Sequence, residues 1–474
     1  MSKRLILLLA LVFVAGIAVA AYAEVQNVKI SGDLTFLGIA RNQFALKKNA
    51  NLKNESATAS IARVKIDADL TDNVSATVRL LNERYWGLES EDTASTEINI
   101  DLAYVTLKEF LYSPLTLMVG RQELHFGNEM VVGDVDTNRL VNTASAFTGH
   151  DEDLSARKAF DAIRATLDYH PLVIDVVAAK ITEKVINNAD DRNLYGVNAK
   201  YDTGVKNTTV EGYWFTKDSA KKYDVAGVAN QDSKRDKIHT VGALIKSQPI
   251  ENLTTSLEGA YQFGTFFDDY GVASGNPAAT NNAAKRRAFA LEAGANYRFA
   301  KVKYSPSLTL LGAWFSGAKN PSIAGNESRK TYTGWDPMFE NQKYGDMANA
   351  QFGQSNARLV GGMASVKPMD DITLQGEYYA YWWDKKFVDN STIPGNIVGK
   401  GGIANVRSYS YTMRNKRFAG QEIDLKAIYD YTEDVQFSLL AGWFLPGNSF
   451  NNTGNATGNS NMASELIGSM KVTF

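Results

Sequence analysis

Hydrophobic and polar positions alternate with a period of two along almost the whole chain, the pattern of strands with one apolar and one polar face. Phe289, Leu291, Ala293, Ala295, Tyr297 and Phe299 alternate with Glu292, Gly294, Asn296 and Arg298. Ala62, Val64, Ile66, Ala68 and Leu70 alternate with Arg63, Lys65, Asp67 and Asp69. Ile423, Leu425, Ala427 and Tyr429 alternate with Glu422, Asp424, Lys426 and Asp430. Helical spacing is confined to one short turn at 153–158. The pattern predicts about eighteen strands: 28–41, 59–70, 74–86, 97–109, 115–126, 158–169, 172–183, 193–202, 207–217, 237–248, 253–266, 287–300, 306–317, 356–367, 371–384, 417–430, 434–445 and 462–474.

Connections between these segments alternate in length. Asp72-Asn73, Ser113-Pro114, His170-Pro171, Thr203-Gly204, Pro249-Ile250, Tyr304-Ser305, Met369-Asp370 and Thr432-Glu433 mark tight turns, separated by long polar loops at 127–157, 217–236, 267–286, 318–355, 385–416 and 446–461. A β-sandwich has no reason to lengthen every second connection. An outer-membrane barrel has one, because its periplasmic turns are short and its outer loops long. In lipid an antiparallel sheet must close to pair its backbone. The apolar face then meets lipid and the charged face lines a wet lumen. Aromatics near strand ends (Tyr85-Trp86, Tyr378-Tyr379, Tyr381-Trp382-Trp383, Trp443-Phe444, Phe299) are expected in interfacial girdles. The predicted fold is an all-β, transmembrane, antiparallel up-and-down β-barrel of about eighteen strands, within bounds of sixteen to twenty.

The two ends of the sequence agree with an outer-membrane location in a Gram-negative-type bacterium. Residues 1–23 combine Lys3-Arg4, an apolar run and Ala21-Tyr22-Ala23, the pattern of a cleaved signal peptide. Residues 24–474 are then expected to form one barrel domain. Leu466, Gly468, Met470, Val472 and Phe474 form the apolar row of a final strand, with Phe474 as an assembly signal for the barrel-assembly machinery. The chain has no cysteine, which excludes disulfides, thiolate metal sites and covalent haem attachment. Without Lys3 and Arg4, 48 basic residues face 52 acidic ones, a mature charge of −4. No nucleic-acid partner is implied.

Val119-Gly120-Arg121-Gln122-Glu123-Leu124-His125-Phe126-Gly127, followed by Glu129 and Val132-Gly133, resembles the alginate-export family of outer-membrane porins. Arg157-Lys158-Ala159-Phe160-Asp161-Ala162-Ile163-Arg164 is similar to that family's strand after a long loop. Gly420-Gln421-Glu422-Ile423-Asp424-Leu425, leading to Gly442-Trp443-Phe444, is a third match. The resemblance implies a monomeric barrel with a polar pore for passive passage of a solute. It identifies the barrel better than the cargo. The polysaccharide exporter of the family has an electropositive conduit, whereas each proposed lumen row here mixes signs, which argues against a polyuronate.

Selectivity in such a channel comes from charged rings and inward-folded loops. The proposed pore-lining residues are Arg63, Arg79, Arg121, Glu123, Arg164, Glu292, Arg298 and Arg358. Arginine suits the role by its permanent charge and two-point contact with carboxylates; the alternative is that each braces the wall against a neighbouring carboxylate. Loop 127–157, with Glu129, Asp134, Asp136 and Arg139, is the proposed constriction. Loop 318–355, with Trp335, Asp336, Phe339, Tyr344 and Asp346, offers a sugar platform or an interfacial belt. Among His125, His150, His170 and His239 only His125 falls on an inward face, and no nucleophile triad or zinc-protease motif accompanies it. No enzyme, cofactor or metal is expected. The expected partners are outer-membrane lipid, the barrel-assembly machinery and a hydrophilic solute. Two other readings remain at this point: a barrel sheathing an electron-transfer protein, and a polysaccharide export conduit.

Overall fold

Each alternating segment pairs with the next along the chain, and the last returns to the first. The computed structural model describes residues 26–44, 46, 54–87, 97–135, 154–183, 191–221, 234–267, 283–318, 331–389, 391–393, 411–450 and 461–474. The barrel strands are β1 (Asn27–Asn42), β2 (Asn54–Thr71), β3 (Val74–Tyr85), β4 (Asn99–Leu107), β5 (Leu115–Gln122), β6 (Phe160–Asp168), β7 (Leu172–Thr182), β8 (Arg192–Asp202) and β9 (Thr209–Lys221). They continue with β10 (Lys234–Ile250), β11 (Leu253–Phe267), β12 (Ala283–Arg298), β13 (Ser307–Phe315), β15 (Ala357–Met369), β16 (Ile372–Trp383), β19 (Phe418–Asp430), β20 (Val435–Pro446) and β21 (Ala463–Thr473). Three short strands are additions: β14 (Thr331–Tyr332) lies parallel to β12, and β17 (Ser391–Ile393) pairs with β18 (Tyr411–Met413).

β1 pairs antiparallel with both β2 and β21, so eighteen long strands form a closed ring. Phe474 completes the seam: its N–H donates to the Gly32 carbonyl at 3.0 Å and its carbonyl accepts from the Gly32 N–H at 2.8 Å. Closure leaves no edge, which is what lets a sheet persist in lipid. Every predicted strand is present, displaced at its ends by a few residues. The expected helical turn at 153–158 is only partly within the described residues, among which the α-helical turn is α1 (Met347–Gln351).

Register fixes the faces. Ile30, Leu310, Val360 and Leu425 stand on the outer face with half or more of their surface exposed, while Glu258 and Glu422 on the inner face are fully buried. Aromatic residues ring the outer face at both ends. Phe36 meets Trp86 edge-on, as Phe289 meets Trp314, near the outer rim; Tyr429, Tyr431 and Phe437 cluster near the periplasmic turns. Five of the expected girdle aromatics face the other way. Tyr85, Tyr379, Tyr381, Trp383 and Phe444 point inward and are buried. The outer half of the lumen is therefore not a simple water-filled bore. Its wall carries Phe160, Ala179, Phe215, Ile238, Phe315 and Leu359 against apolar residues of two inward-folded segments, and these make one continuous core.

Candidate functional site

The first inward segment, 123–135, leaves β5; the second, 331–356, joins β13 to β15. Leu124, Phe126, Met130 and Val132 of the first pack with Trp335, Met338, Phe339 and Met347 of the second, all buried. Burial of each such side chain is worth roughly 1.5–3 kcal/mol, so the segments are fixed elements of the lumen. Their backbones are laced together in a small parallel ladder. Gly133 and Asp134 donate N–H bonds to the Phe339 carbonyl at 2.7 and 2.9 Å, Phe339 donates to Val131 at 3.0 Å, and Asn341 donates to Glu129 at 3.0 Å.

Carboxylates of the wall hold these segments by their backbones. Gly127 N–H donates to Glu211 at 2.6 Å and Asn128 N–H to Glu258 at 2.8 Å, while the Asn128 side-chain amide donates to Glu292 at 2.8 Å. Gln342 and Tyr344 donate to the other oxygen of Glu292. Met347 and Ala348 N–H groups donate to the two oxygens of Glu422 at 2.7 and 2.8 Å. Glu83, on the opposite wall, accepts Ala156 N–H at 2.6 Å and pairs with Arg157 at 3.1 Å. Such charge-assisted bonds satisfy orphaned loop N–H groups and buried carboxylates together. They also explain how Glu258 and Glu292, direct cross-strand partners of like charge, tolerate each other where an unassisted pair would be destabilising. Side-chain clamps add to the second segment: Gln262 both donates to and accepts from the Asp336 backbone, at 2.7 and 2.9 Å, and Lys217 pairs with the Asp336 carboxylate at 2.6 Å. Burial pushes the Asp336 carboxyl up, but the charges of Lys217 and Arg286 outweigh it and hold it well below the usual range.

The two segments and the basic wall meet in a chain of alternating charge. Arg79 contacts Asp101 at 2.6 Å and Glu123 at 2.5 Å. His125 lies 3.6 Å from Glu123 and 2.9 Å from Glu129. Asn341 donates to Glu129 at 2.5 Å and accepts from Lys158, which also reaches Asp134 at 3.4 Å. Hydrogen bonding to Glu123 and Glu129 raises the imidazole of His125 to about 9, and the same contact, with Arg79, lowers Glu123 to about 2. Both ions are thus present at neutral pH. His125, Glu123 and Lys158 remain partly exposed, so this chain of charges is open to solvent.

The family model for alginate export matches residues 31–464. The chain belongs to the alginate-export family. It is an outer-membrane, porin-type barrel, and its architecture recurs in solved porins of low sequence identity. Acinetobacter baumannii OccAB1 is 13% identical, with 96% of this chain and 99% of that chain covered and a TM-score of 0.52. Pseudomonas aeruginosa OpdQ is 11% identical, covering 95% and 99% with a TM-score of 0.52. Pseudomonas aeruginosa OccK2 (OpdF), solved in complex with glucuronate, is 10% identical, covering 95% and 99% at 0.51. These likenesses concern the fold. No curated protein matches the sequence.

Within this family barrel the sequence candidates fall into three groups. Arg63, Arg79, Arg164, Glu292 and Arg298 occupy inward register positions, with Glu123 meeting Arg79 from the first segment. Arg63 and Arg164 are braced by Asp33 and Asp175, each at 2.8 Å. Arg121 and Arg358 are corrections: both face outward. Arg121 is the register partner of Asp161 on the face of Val119 and Ile163, and it pairs with Asp161 at 3.3 Å. Arg358 is the register partner of Trp314, stacks 4.2 Å above its ring, and pairs with Asp384 at 2.5 Å. In β5 the buried Gln122 takes the inward position beside Phe160, and in β15 Leu359 does; a shift of one residue inverts the face. Glu129 and Asp134 lie in the first inward segment, whereas Asp136 and Arg139 lie outside the described residues. The expected sugar platform is not exposed: Trp335, Phe339 and Tyr344 are buried in the core.

Glu211, Glu258, Asn128, Asn341 and Lys158 were not singled out from the sequence. Apart from Tyr213, 45 positions from Glu258, and Asp134, 24 positions from Lys158, their partners are backbone N–H groups or residues more than a hundred positions away, which leave no local pattern. A signal exists only for Glu211 and Glu258, whose alternation with Tyr213 and with Ala260 sets them in inward rows.

Proposed function

We propose that the chain is a passive outer-membrane channel with a preference for small hydrophilic anions. The observation that carries this reading is the fate of the lumen charges. Arg63, Lys65 and Arg79 on β2 and β3 lie nine strands from Glu258 and Glu292 on β11 and β12, hence diametrically opposite in a ring of eighteen. The acidic wall spends its charge on loop N–H groups. Closer to the periplasmic turns, Lys29, Lys200, Lys246, Arg298, Lys426 and Lys471 hold inward register positions and form no ion pair among the described residues. Of the neighbouring carboxylates, Asp33, Asp67 and Asp175 are each paired with a cation, Asp69, Asp168, Asp202 and Asp430 lie at the turns, and Glu377 and Asp424, cross-strand partners facing inward beside Lys426, offset part of the positive charge. A low-dielectric wall focuses the remaining positive field into the bore. The near-neutral total charge of the chain does not report this field.

The barrel is read as a cleaved, single-domain monomer inserted by the barrel-assembly machinery, with no catalytic role. Zero-current potentials across a planar bilayer in a salt gradient test the channel. The expected outcome is an open channel preferring chloride to potassium, partly blocked by glucuronate, the ligand named for the OccK2 barrel. A cation preference, or a barrel silent until a second protein is added, overturns the reading; the latter outcome would favour a barrel that docks a partner.

A further inference from the structure

The outward face near the outer rim carries charges at several places, and most of them are neutralised in pairs. Arg121 has Asp161, Lys180 has Glu183 at 3.4 Å, and Arg358 has Asp384. Among the described residues the exception lies on β10 to β12. One outward row there runs Trp214, Val241, Tyr261, Phe289, and the next row towards the outer end runs Thr216, His239, Phe263, Arg287. Above these stand Lys237 and, across Thr265, Lys285; the Lys237 N–H donates to the Thr265 hydroxyl at 2.9 Å.

Lys237, Lys285 and Arg287 are exposed and form no ion pair among the described residues. Asp218, the register partner of Lys237, offsets part of the charge. The register partners of Lys285 are Thr265 and Thr331, and that of Arg287 is Phe263. Arg286 between them points inward, 3% exposed, so it does not contribute to the patch.

We infer that this patch binds the phosphate headgroup of an outer-leaflet glycolipid. Height and charge support this occupant together. The aromatic row marks the level where acyl chains give way to headgroups. At about 3.4 Å per residue, Arg287 stands roughly 7 Å and Lys285 roughly 14 Å further along β12 than Phe289, at headgroup depth. Strands lie about 4.8 Å apart, so Lys237 and Lys285 flank a gap of roughly 10 Å with Thr265 at its floor. Three cations converge there on one anionic group. Acyl chains of the same lipid run down over Tyr261, Phe263 and Phe289, whose exposed rings complete an amphipathic site.

Native mass spectrometry of the full barrel with bisphosphorylated lipid A, and with the same lipid after removal of both phosphates, tests the inference. The phosphorylated lipid is expected to remain bound as a discrete adduct. In K237Q/K285Q/R287Q its dissociation constant rises on the order of 100-fold, given about 1 kcal/mol per cation near an anionic surface. The dephosphorylated lipid binds the wild type as weakly as the phosphorylated lipid binds the variant. Equal binding of the two lipids by the wild-type barrel overturns the inference without any variant being needed. Equal binding by wild type and variant overturns it too. Inorganic phosphate in excess is expected to leave the adduct in place. Full displacement would show a plain phosphate site and refute the lipid assignment.

Discussion

The Glu258 carboxylate on β11 accepts the backbone N–H of Asn128 at 2.8 Å, from a segment that entered the lumen 130 residues earlier in the chain. It also accepts the Tyr213 hydroxyl at 2.7 Å. Glu258→Ala should cost roughly 1–3 kcal/mol, because two buried donors lose their acceptor. Glu258→Gln keeps an acceptor oxygen and should cost less. Urea unfolding followed by tryptophan fluorescence measures both, and equal stability of all three proteins would show that the segment is held by its apolar contacts alone.

Gly127 approaches the same carboxylate at φ +64°, and a Cβ there would stand 2.5 Å from a Glu258 oxygen. Gly127→Ala combines a left-handed backbone, costly for a side chain, with displacement of that anchor. Its single-channel records should show more frequent closures than wild type. Records as quiet as the wild type's would mean that the segment accommodates the methyl group.

The chain of charges on the first inward segment gives a pH window. His125 is raised to about 9, so its contribution is complete below its ordinary value of 6.5 and is lost as pH rises through about 9. Glu123 is held at about 2, so its contribution is complete above 4.5 and is lost only as pH falls through about 2. Between these limits the ion pairs within the first segment and from it to Arg79 are intact. Channel noise should rise as pH passes 9 in the wild type and be independent of pH across that range in His125→Gln. An imidazole resonance titrating near 6.5 would contradict the pairing.

Lumen and lipid faces separate the basic residues by function. Lys246→Glu and Lys471→Glu, each at an inward position, should move the zero-current potential towards cation preference. Arg121→Gln, on the outward face, should leave it where it is. A shift from Arg121→Gln as large as from Lys246→Glu would contradict the register.

Deleting Phe474 removes both backbone bonds to Gly32 at the seam. The fraction of heat-modifiable, folded barrel in outer-membrane extracts should fall. An undiminished fraction would remove Phe474 from the assembly signal.

The strands were legible because a closed barrel in lipid imposes a strict alternation, and eighteen segments show it. Faces were legible where alternation is clean, as in β2, β12 and β19. They were misread in β5 and β15, where charged residues sit at the outer rim and water, rather than the lumen, solvates them. Arg121 and Arg358 satisfy the sequence criterion of a charged row without facing the bore. The inward segments were legible only as long charged loops. Their apolar half, Phe126 to Val135 and Trp335 to Met347, reads as interfacial until its partners on the wall are known. The charge balance misled in the other direction: inward rows do mix signs, but Glu211, Glu258 and Glu292 are engaged by hydrogen bonds that composition does not record.

The lacing of 123–135 to the far wall also sets an order of events. Its acceptors Glu211, Glu258 and Glu292 follow their donors by 84, 130 and 164 residues. In a sheet that has not yet closed, these acceptors are held away from the segment, which then has nowhere to dock. Only once β9 to β12 have curved round to face β3 does the acidic wall exist. The inward fold of this segment is therefore a product of the barrel's own closure.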